Sequence, residues 1–137
     1  ESVNRAKRMK MKLNINNVDF FSKDMNCLDY PDKYFDCLVD TQSIYYSKNY
    51  LKTFIHLKKI LSDEGLLITI PGIGDKDLIS QYINQIERSG FFIQDFEFIE
   101  TKNLSKIEYL PAISCSLRKP IEKVNIDQII NRIFDSL

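Results

Sequence analysis

Short apolar runs alternate along the chain with longer segments in which apolar residues recur at helical spacing. A strand that is buried on both faces is apolar at consecutive positions, so these runs predict strands. Five of them stand out, at 18–21, 35–39, 66–70, 91–99 and 112–117. The fourth alternates in part between apolar and polar residues, as a half-exposed strand does.

Helical spacing of apolar residues predicts four helices, at 2–13, 50–61, 75–89 and 126–137. Ser2 would cap the first helix, and Ser47 or Asn49 the second, because their side-chain oxygens accept hydrogen bonds from free N–H groups. Gly65 and Gly90 follow the second and third helices. Glycine readily takes the left-handed conformation that ends a helix, so both are expected to be helix terminators.

Strands that alternate with helices are typical of an α/β domain with a mostly parallel sheet. At 137 residues the chain is expected to form about one domain, and no repeat or long linker divides it. Residues 1–137 are therefore interpreted as a single domain, to which 119–137 adds a C-terminal helix. This helix either packs on the domain or forms a contact between two copies of the chain.

Composition narrows the classes of function. The formal net charge is zero, so general attraction to nucleic acid or to an anionic membrane is not expected. No apolar run approaches the roughly 20 residues that span a bilayer. The three cysteines, Cys27, Cys37 and Cys115, have neither the spacing of a zinc site nor the even number of a disulfide framework. They are expected to be reduced, which favours a cytoplasmic location.

Polar residues follow two of the predicted strands at the point where each strand ends. Asp24 comes after the first strand, and Asp40, Thr41 and Gln42 come after the second. In an open parallel sheet, ligands bind outside the carboxyl ends of the strands. These side chains are therefore candidates for a ligand crevice, with the apolar runs behind them forming core.

The order of these stretches resembles the later two-thirds of a class I S-adenosylmethionine-dependent methyltransferase. The resemblance covers about residues 1–119 and rests on four stretches, 1–6, 17–25, 34–40 and 57–70. Two later stretches, 89–91 and 112–119, resemble the break before the family's sixth strand and its seventh strand. It implies a Rossmann-like three-layer sandwich whose sheet is mostly parallel, with an antiparallel last strand. The stretch YFDCLVD at 34–40 would be the fourth strand of that family, and LKKILSDEGLLITI at 57–70 its next helix and fifth strand.

By this resemblance, Asp24 and Met25 would bind the adenine of S-adenosylmethionine. The Asp24 carboxylate would accept a hydrogen bond from the adenine amino group, and the Met25 backbone N–H would face a ring nitrogen. A carboxylate and an N–H together complement one edge of adenine. The alternative is that Asp24 only caps a turn or a short helix.

The resemblance places Asp40 and Thr41 beside the sulfonium, and Gln42, Tyr45 and Tyr46 beside the methyl acceptor. A negative group near a sulfonium is favourable, and a cationic cofactor also suits aromatic walls. The alternative for the tyrosines is packing of a helix against the sheet, and for Asp40 a structural role.

Three other features favour structural interpretations. Asp36 lies at the entry of its strand, far from the crevice, and is expected to tie down a neighbouring loop. His56 lies in the middle of a helix and is expected to be a surface or hydrogen-bonded histidine. Gly72 and Gly74 do not make a phosphate-binding loop, because the GxGxxG pattern would need a glycine where Asp77 stands.

The family's first strand, its glycine-rich turn and the acid that holds the ribose would all precede the position of Glu1. The family sheet runs 3-2-1-4-5-7-6, so the strand at 18–21 would be separated from 35–39 by three strand spacings, roughly 14 Å. The sheet is therefore expected to be incomplete at its N-terminal side. We expect either a longer chain or another segment to fill the gap, and the 137 residues alone to be inactive and to bind cofactor poorly.

Three functions are consistent with the sequence. The first is transfer of a methyl group from S-adenosylmethionine to an acceptor, with a small molecule favoured over RNA or protein. The second is a non-catalytic interaction subunit or fragment on the same fold. The third is another nucleotide-binding α/β enzyme such as a dehydrogenase. The turn at Asp24 and the antiparallel final hairpin, both implied by the resemblance, speak against the third.

Overall fold

The computed structural model describes residues 1–72, 75–103 and 106–135, and these form a mixed α/β fold. The helices are α1 (Ser2–Lys12), α2 (Tyr50–Ile60), α3 (Lys76–Arg88) and α4 (Ile126–Asp135). The strands are β1 (Phe35–Thr41), β2 (Leu61–Ile70), β3 (Phe92–Asn103) and β4 (Lys106–Ser116). The expected α/β alternation is confirmed from β1 onward.

The described strands form one sheet in the order β1-β2-β4-β3. β1 and β2 are parallel, whereas β4 runs antiparallel to both β2 and β3. Three strands therefore point the same way and the last one is reversed, which confirms the predicted sheet. The hairpin of β3 and β4 is longer than the sequence pattern indicated, since β4 begins at Lys106 rather than at 112.

Helices α2, α3 and α4 pack next to one another on one face of the sheet. Their apolar stripes and the facing strand residues form the core, in which the largest fully buried side chains are Tyr82, Phe54 and Phe91. The prediction that the C-terminal helix packs on the domain is confirmed, because α4 contributes Ile129, Ile130 and Ile133 to this core.

The opposite face of β1 is open. Because side chains alternate along a strand, Leu38 and Asp40 point to the covered face, whereas Cys37, Val39 and Thr41 point away from it. Val39 is 64% exposed, which is unusual for an aliphatic residue in a strand. β1 is also the last strand on its side of the described sheet.

The predicted strand at 18–21 is wrong, since these residues belong to no strand and pair with none in the described part of the chain. An apolar run becomes a strand only where a neighbour can take its backbone hydrogen bonds, and no such neighbour lies beside it. Phe21 is consequently exposed. The segment is instead tied to α1 by a hydrogen bond of 2.8 Å from Lys10 to Asp19, and α1 itself buries no residue.

The predicted helix caps are partly right. Asn49 caps α2, and its side chain accepts a hydrogen bond of 2.9 Å from the Lys52 N–H. Ser2 does not cap α1; the N-cap is Glu1, whose side chain makes no capping bond. Gly90, with φ of 96°, ends α3 in the left-handed conformation as expected.

The prediction that Gly65 ends a helix is wrong. α2 stops at Ile60 and β2 begins at the next residue, so Gly65 lies inside the strand. Here a glycine is needed for space: a Cβ would lie 2.5 Å from Leu61 Cδ1 and 2.9 Å from the Ser62 carbonyl oxygen. The residues before Gly65 form an irregularity, because the pairing with β1 jumps from Leu61 to Leu66.

In the described part of the chain, no helix has the length and apolar character needed to cross a membrane.

The Gly65→Ala variant is expected to lose about 1–3 kcal/mol in free energy of unfolding, because its methyl group overlaps a backbone oxygen that is fixed within β2. Urea denaturation measures this loss. Gly72→Ala is the matched control and is expected to lose less stability, since its methyl group would meet only side-chain atoms of Tyr45, at 3.3 Å. Equal stability of Gly65→Ala and the native chain would contradict the packing described for β2.

Alkylation is expected to proceed quickly at two of the three cysteines and slowly at the third. Cys27 and Cys37 are exposed and Cys115 is buried, and burial raises the pKa of Cys115 to about 12. Since the thiolate is the reactive form, iodoacetamide near neutral pH should label Cys27 and Cys37 in the folded chain and Cys115 only in urea. Mass spectrometry of the peptides measures this, and fast native labelling of Cys115 would contradict the fold.

Candidate functional site

The candidate site is built at the edge of the sheet where β1 and β2 both end. The two strands are parallel and in register up to the pair Thr41 and Ile70. Their carboxyl ends therefore meet at one place, where Gly72, shortly after β2, lies against the Tyr45 ring. We call residues 41–47, which leave β1 at this edge, the β1 loop.

Asp40 lies beneath the β1 loop and is nearly buried. Its Oδ1 accepts hydrogen bonds from the backbone N–H groups of Ser43 at 2.9 Å and Ile44 at 3.1 Å. Its Oδ2 accepts a bond of 2.9 Å from the Thr69 hydroxyl. Both carboxylate oxygens are thus engaged within the chain, which supports the structural interpretation of Asp40 over direct contact with a cofactor.

Thr69 links Asp40 to helix α3. Thr69 is fully buried in β2, and its hydroxyl also contacts the phenol of Tyr82. Burial raises the pKa of Tyr82, so this phenol stays protonated and can donate. Around it stand Tyr50 and Phe54, whose rings are 5.0 Å and 5.3 Å from that of Tyr82 in edge-to-face geometry.

The β1 loop is fastened at further points along its length. The Gln42 N–H donates to the Ile70 carbonyl at 2.8 Å, and Gln42 has a left-handed φ of 67°. The Tyr50 hydroxyl donates to the Tyr45 carbonyl at 2.8 Å. The Tyr45 ring packs against Gly72, and partial burial raises the pKa of Tyr45. The packing interpretation therefore fits Tyr45.

Thr41 and Tyr46 are the exposed side chains that flank this arrangement. Tyr46 is 76% exposed, and its ring makes an edge contact with that of Tyr45 at 5.5 Å. Gln42 is half-buried between them. Asp40, at the end of β1, thus lies beneath the loop that carries Thr41, Gln42, Tyr45 and Tyr46, and of these five residues Thr41 and Tyr46 are exposed to solvent.

Asp24 caps the short 3-10 helix Met25–Cys27. Its Oδ1 accepts hydrogen bonds from the Asn26 backbone N–H at 2.8 Å and the Asn26 side chain at 3.0 Å. These bonds lower the pKa of Asp24, so the carboxylate is ionised at neutral pH. The capping alternative is thus observed. Met25 is half-buried against the core.

The segment that carries Asp24 is held to α2 by His56. The His56 Nε2 lies 2.9 Å from the Leu28 carbonyl oxygen, to which it can donate. The expected hydrogen-bonded role of His56 is confirmed. Asp36 is also structural, since its Oδ1 accepts a bond of 3.4 Å from Ser62 at the start of β2.

The pair at Gly72 and Gly74 is only partly described, because 73–74 lie outside the described residues. After them, Asp75 caps α3 and accepts a hydrogen bond of 2.8 Å from the Asp77 N–H.

Among the described residues, no group of three or more His, Cys, Asp or Glu side chains is arranged to hold a metal ion.

Sequence reasoning missed Thr69 and Tyr82. The signal for Thr69 was present, because a hydroxyl interrupts the apolar run at 66–70 and a buried hydroxyl needs a partner. Tyr82 lies in the apolar stripe of its helix, a position that predicts burial of its ring but says nothing of a partner for its hydroxyl. The partner of each lies far away in sequence.

No model of a known family and no curated protein matches the sequence. Solved structures do match the fold. A SAM-dependent methyltransferase from Aquifex aeolicus aligns with a TM-score of 0.62 and 17% identity over 82% of this chain. The [4+2]-cyclase SpnF aligns with a TM-score of 0.68 and 15% identity over 88%. A SAM-dependent methyltransferase from Leishmania major gives 0.61 and 18% over 80%.

Each of these proteins is longer than the present chain. The alignment spans 62% of the Aquifex protein, 64% of SpnF and 50% of the Leishmania protein. At these low identities the likeness establishes architecture. The chain has a partial Rossmann-like fold, the fold of class I SAM-dependent methyltransferases.

Proposed function

We propose that the chain forms the adenine-binding and acceptor-binding side of a methyltransferase domain that transfers a methyl group from S-adenosylmethionine to a small molecule. The observation that carries the proposal is the match to methyltransferase structures over most of the chain. In that fold, the β1 loop at the carboxyl end of its strand occupies the edge where ligands bind.

Asp24 and Met25 are proposed to bind the adenine. Both hydrogen bonds from Asn26 go to Oδ1 of Asp24, which is compatible with an adenine amino group donating to Oδ2. The lowered pKa of Asp24 keeps it an acceptor at neutral pH. Met25 begins the short helix that Asp24 caps, so the two groups lie next to each other as recognition of one adenine edge requires.

The acceptor is proposed to lie against the β1 loop. Methyl transfer from a sulfonium needs the acceptor in line with the methyl group and water excluded, so positioning carries much of the chemistry. The exposed ring of Tyr46 gives an aromatic face for a small acceptor or for the cationic sulfonium. Thr41 and Gln42 add hydrogen-bonding groups beside it. An aromatic face with polar groups nearby is the kind of lining that small-molecule sites use.

The cofactor site is proposed to be completed by strands added beside β1. β1 has a partner on one side only in the described sheet, and Val39 on its open face is exposed. The glycine-rich turn and ribose-binding acid implied by the resemblance would come with these strands. Full cofactor affinity therefore belongs to the completed domain.

A second candidate is a binding subunit without methyl transfer. One observation favours it: β1 is open on one side of the described sheet and can accept another protein segment. The fold is also shared with a [4+2]-cyclase, so architecture alone does not establish methyl transfer.

Calorimetric titration with S-adenosylhomocysteine distinguishes these functions. The 137-residue chain is expected to bind weakly and the longest natural version of the protein to bind well. In that version, Asp24→Ala should weaken binding about tenfold or more, as expected for loss of a hydrogen bond to a charged group. Asp32→Ala is the matched control, because it removes an exposed carboxylate from a nearby turn.

Circular dichroism must show that each variant is folded before its affinity is compared. Absence of binding by a well-folded long version would overturn the methyltransferase proposal and leave the binding subunit. Equal weakening by Asp24→Ala and Asp32→Ala would show that Asp24 has no specific role in binding adenine.

A further inference from the structure

We infer that Asp40, Thr69 and Tyr82 form a buried relay of hydrogen bonds that positions the β1 loop for the acceptor. The catalytic importance of this relay rests on the proposed function. Asp40 is then a positioning residue, which acts by holding the β1 loop in place and not by contacting the cofactor. Tyr82 and Thr69 are positioning residues in the same sense.

The direction of the relay follows from the chemistry of its members. A carboxylate only accepts hydrogen bonds, so the Thr69 hydroxyl must donate its single proton to Asp40 Oδ2. Thr69 can then only accept from the phenol that it contacts, and Tyr82 must be the donor. The order is Tyr82 to Thr69 to Asp40, and it is fixed as long as Asp40 is ionised and Tyr82 protonated.

Burial makes each link depend on the others. Thr69 and Tyr82 are both 0% exposed, so water cannot replace a lost partner, and an unpaired polar group in this setting is costly. The Asp40 carboxylate in turn accepts hydrogen bonds from the Thr69 hydroxyl below it and from two backbone N–H groups above it. The Asp40 side chain is therefore held from both directions.

The upper end of the relay sets the path of the β1 loop. Asp40 Oδ1 binds the N–H groups of Ser43 and Ile44 and so fixes the start of the short helix Ile44–Tyr46. Two residues before this helix, Gln42 has a left-handed backbone with φ of 67°. A non-glycine residue keeps that conformation only when its surroundings hold it. The bond from the Gln42 N–H to the Ile70 carbonyl restrains it on one side, and the bonds to Asp40 restrain the residues that follow.

The functional consequence concerns Thr41 and Tyr46. These two exposed side chains project from the ends of the restrained stretch, and their separation and direction depend on its backbone. Misplacement of about 1 Å can lower the rate of a positioned reaction by about a hundredfold. The Tyr82 hydroxyl on α3 thereby affects the positions of Thr41 and Tyr46 without contacting either side chain.

Hydrogen exchange of single amides in the folded 137-residue chain tests the relay directly. Thr69→Val removes the hydroxyl with little change of shape, and Thr69→Ser restores it. Tyr82→Phe removes only the first donor. In Thr69→Val and Tyr82→Phe, the amides of Ser43 and Ile44 should exchange about tenfold faster or more, and in Thr69→Ser they should be close to native rates.

The control is Tyr109→Phe, which removes a hydroxyl from a half-exposed side chain on β4. Amides in the middle of α3 and β2 report global opening in every variant. Faster exchange confined to the β1 loop, with rescue by serine, supports the relay. Unchanged rates at Ser43 and Ile44, or equal acceleration throughout the chain, overturn it.

A second readout does not depend on the amides. The chain has no tryptophan, so Tyr46→Trp provides a single fluorescent reporter on the β1 loop. Adding Thr69→Val should lower the anisotropy of this reporter, and adding Thr69→Ser should not. Neither readout requires cofactor, so failure of S-adenosylhomocysteine binding would overturn the proposed function while the relay is judged on these measurements alone.

Discussion

The parallel pairing of β1 with β2 is the constraint on which the rest of the structure depends. The two strands are in continuous register from the pair Cys37 and Leu66 to the pair Thr41 and Ile70. Their carboxyl ends therefore lie next to each other at the same end of the sheet. Without that register, Asp40 and Thr69, which are paired neighbours on the two strands, would not face each other. Core packing and site geometry therefore share one cause.

The core and the site also share side chains. The Tyr82 ring fills the space between α2 and the sheet among other aromatic rings, while its hydroxyl enters the hydrogen-bond relay. Tyr50 behaves in the same way, since its ring packs on Tyr82 and its hydroxyl holds the β1 loop. Amphipathic aromatic residues suit such places because one end is apolar and the other makes directional bonds.

Much of the architecture could be predicted from local patterns, because β1, β2, α2 and α3 carry their own periodicity and end signals. The segment at 18–21 shows the limit of this approach: it has the composition of a strand but lacks a neighbour to pair with. Gly65 shows another limit, since a glycine required for space and a glycine required for a left-handed turn look the same in a sequence.

The candidate site was predicted in outline but not in its connections. Asp40 was found because it follows an apolar run, yet its partner Thr69 lies 29 residues away and Tyr82 another 13. Pairs so distant are joined only by the register of the sheet and the placement of a helix. No pattern of spacing along the chain contains that information, so the sequence alone does not distinguish a binding role of Asp40 from a structural one.

The open side of β1 has a consequence for the behaviour of the protein in solution. A strand edge with free N–H and C=O groups accepts any extended segment, and an exposed apolar residue such as Val39 strengthens the contact. At high concentration, copies of this chain are therefore expected to pair edge to edge along β1 and to aggregate. Covering the outer edge of β1 with another segment would therefore make the chain less prone to aggregate.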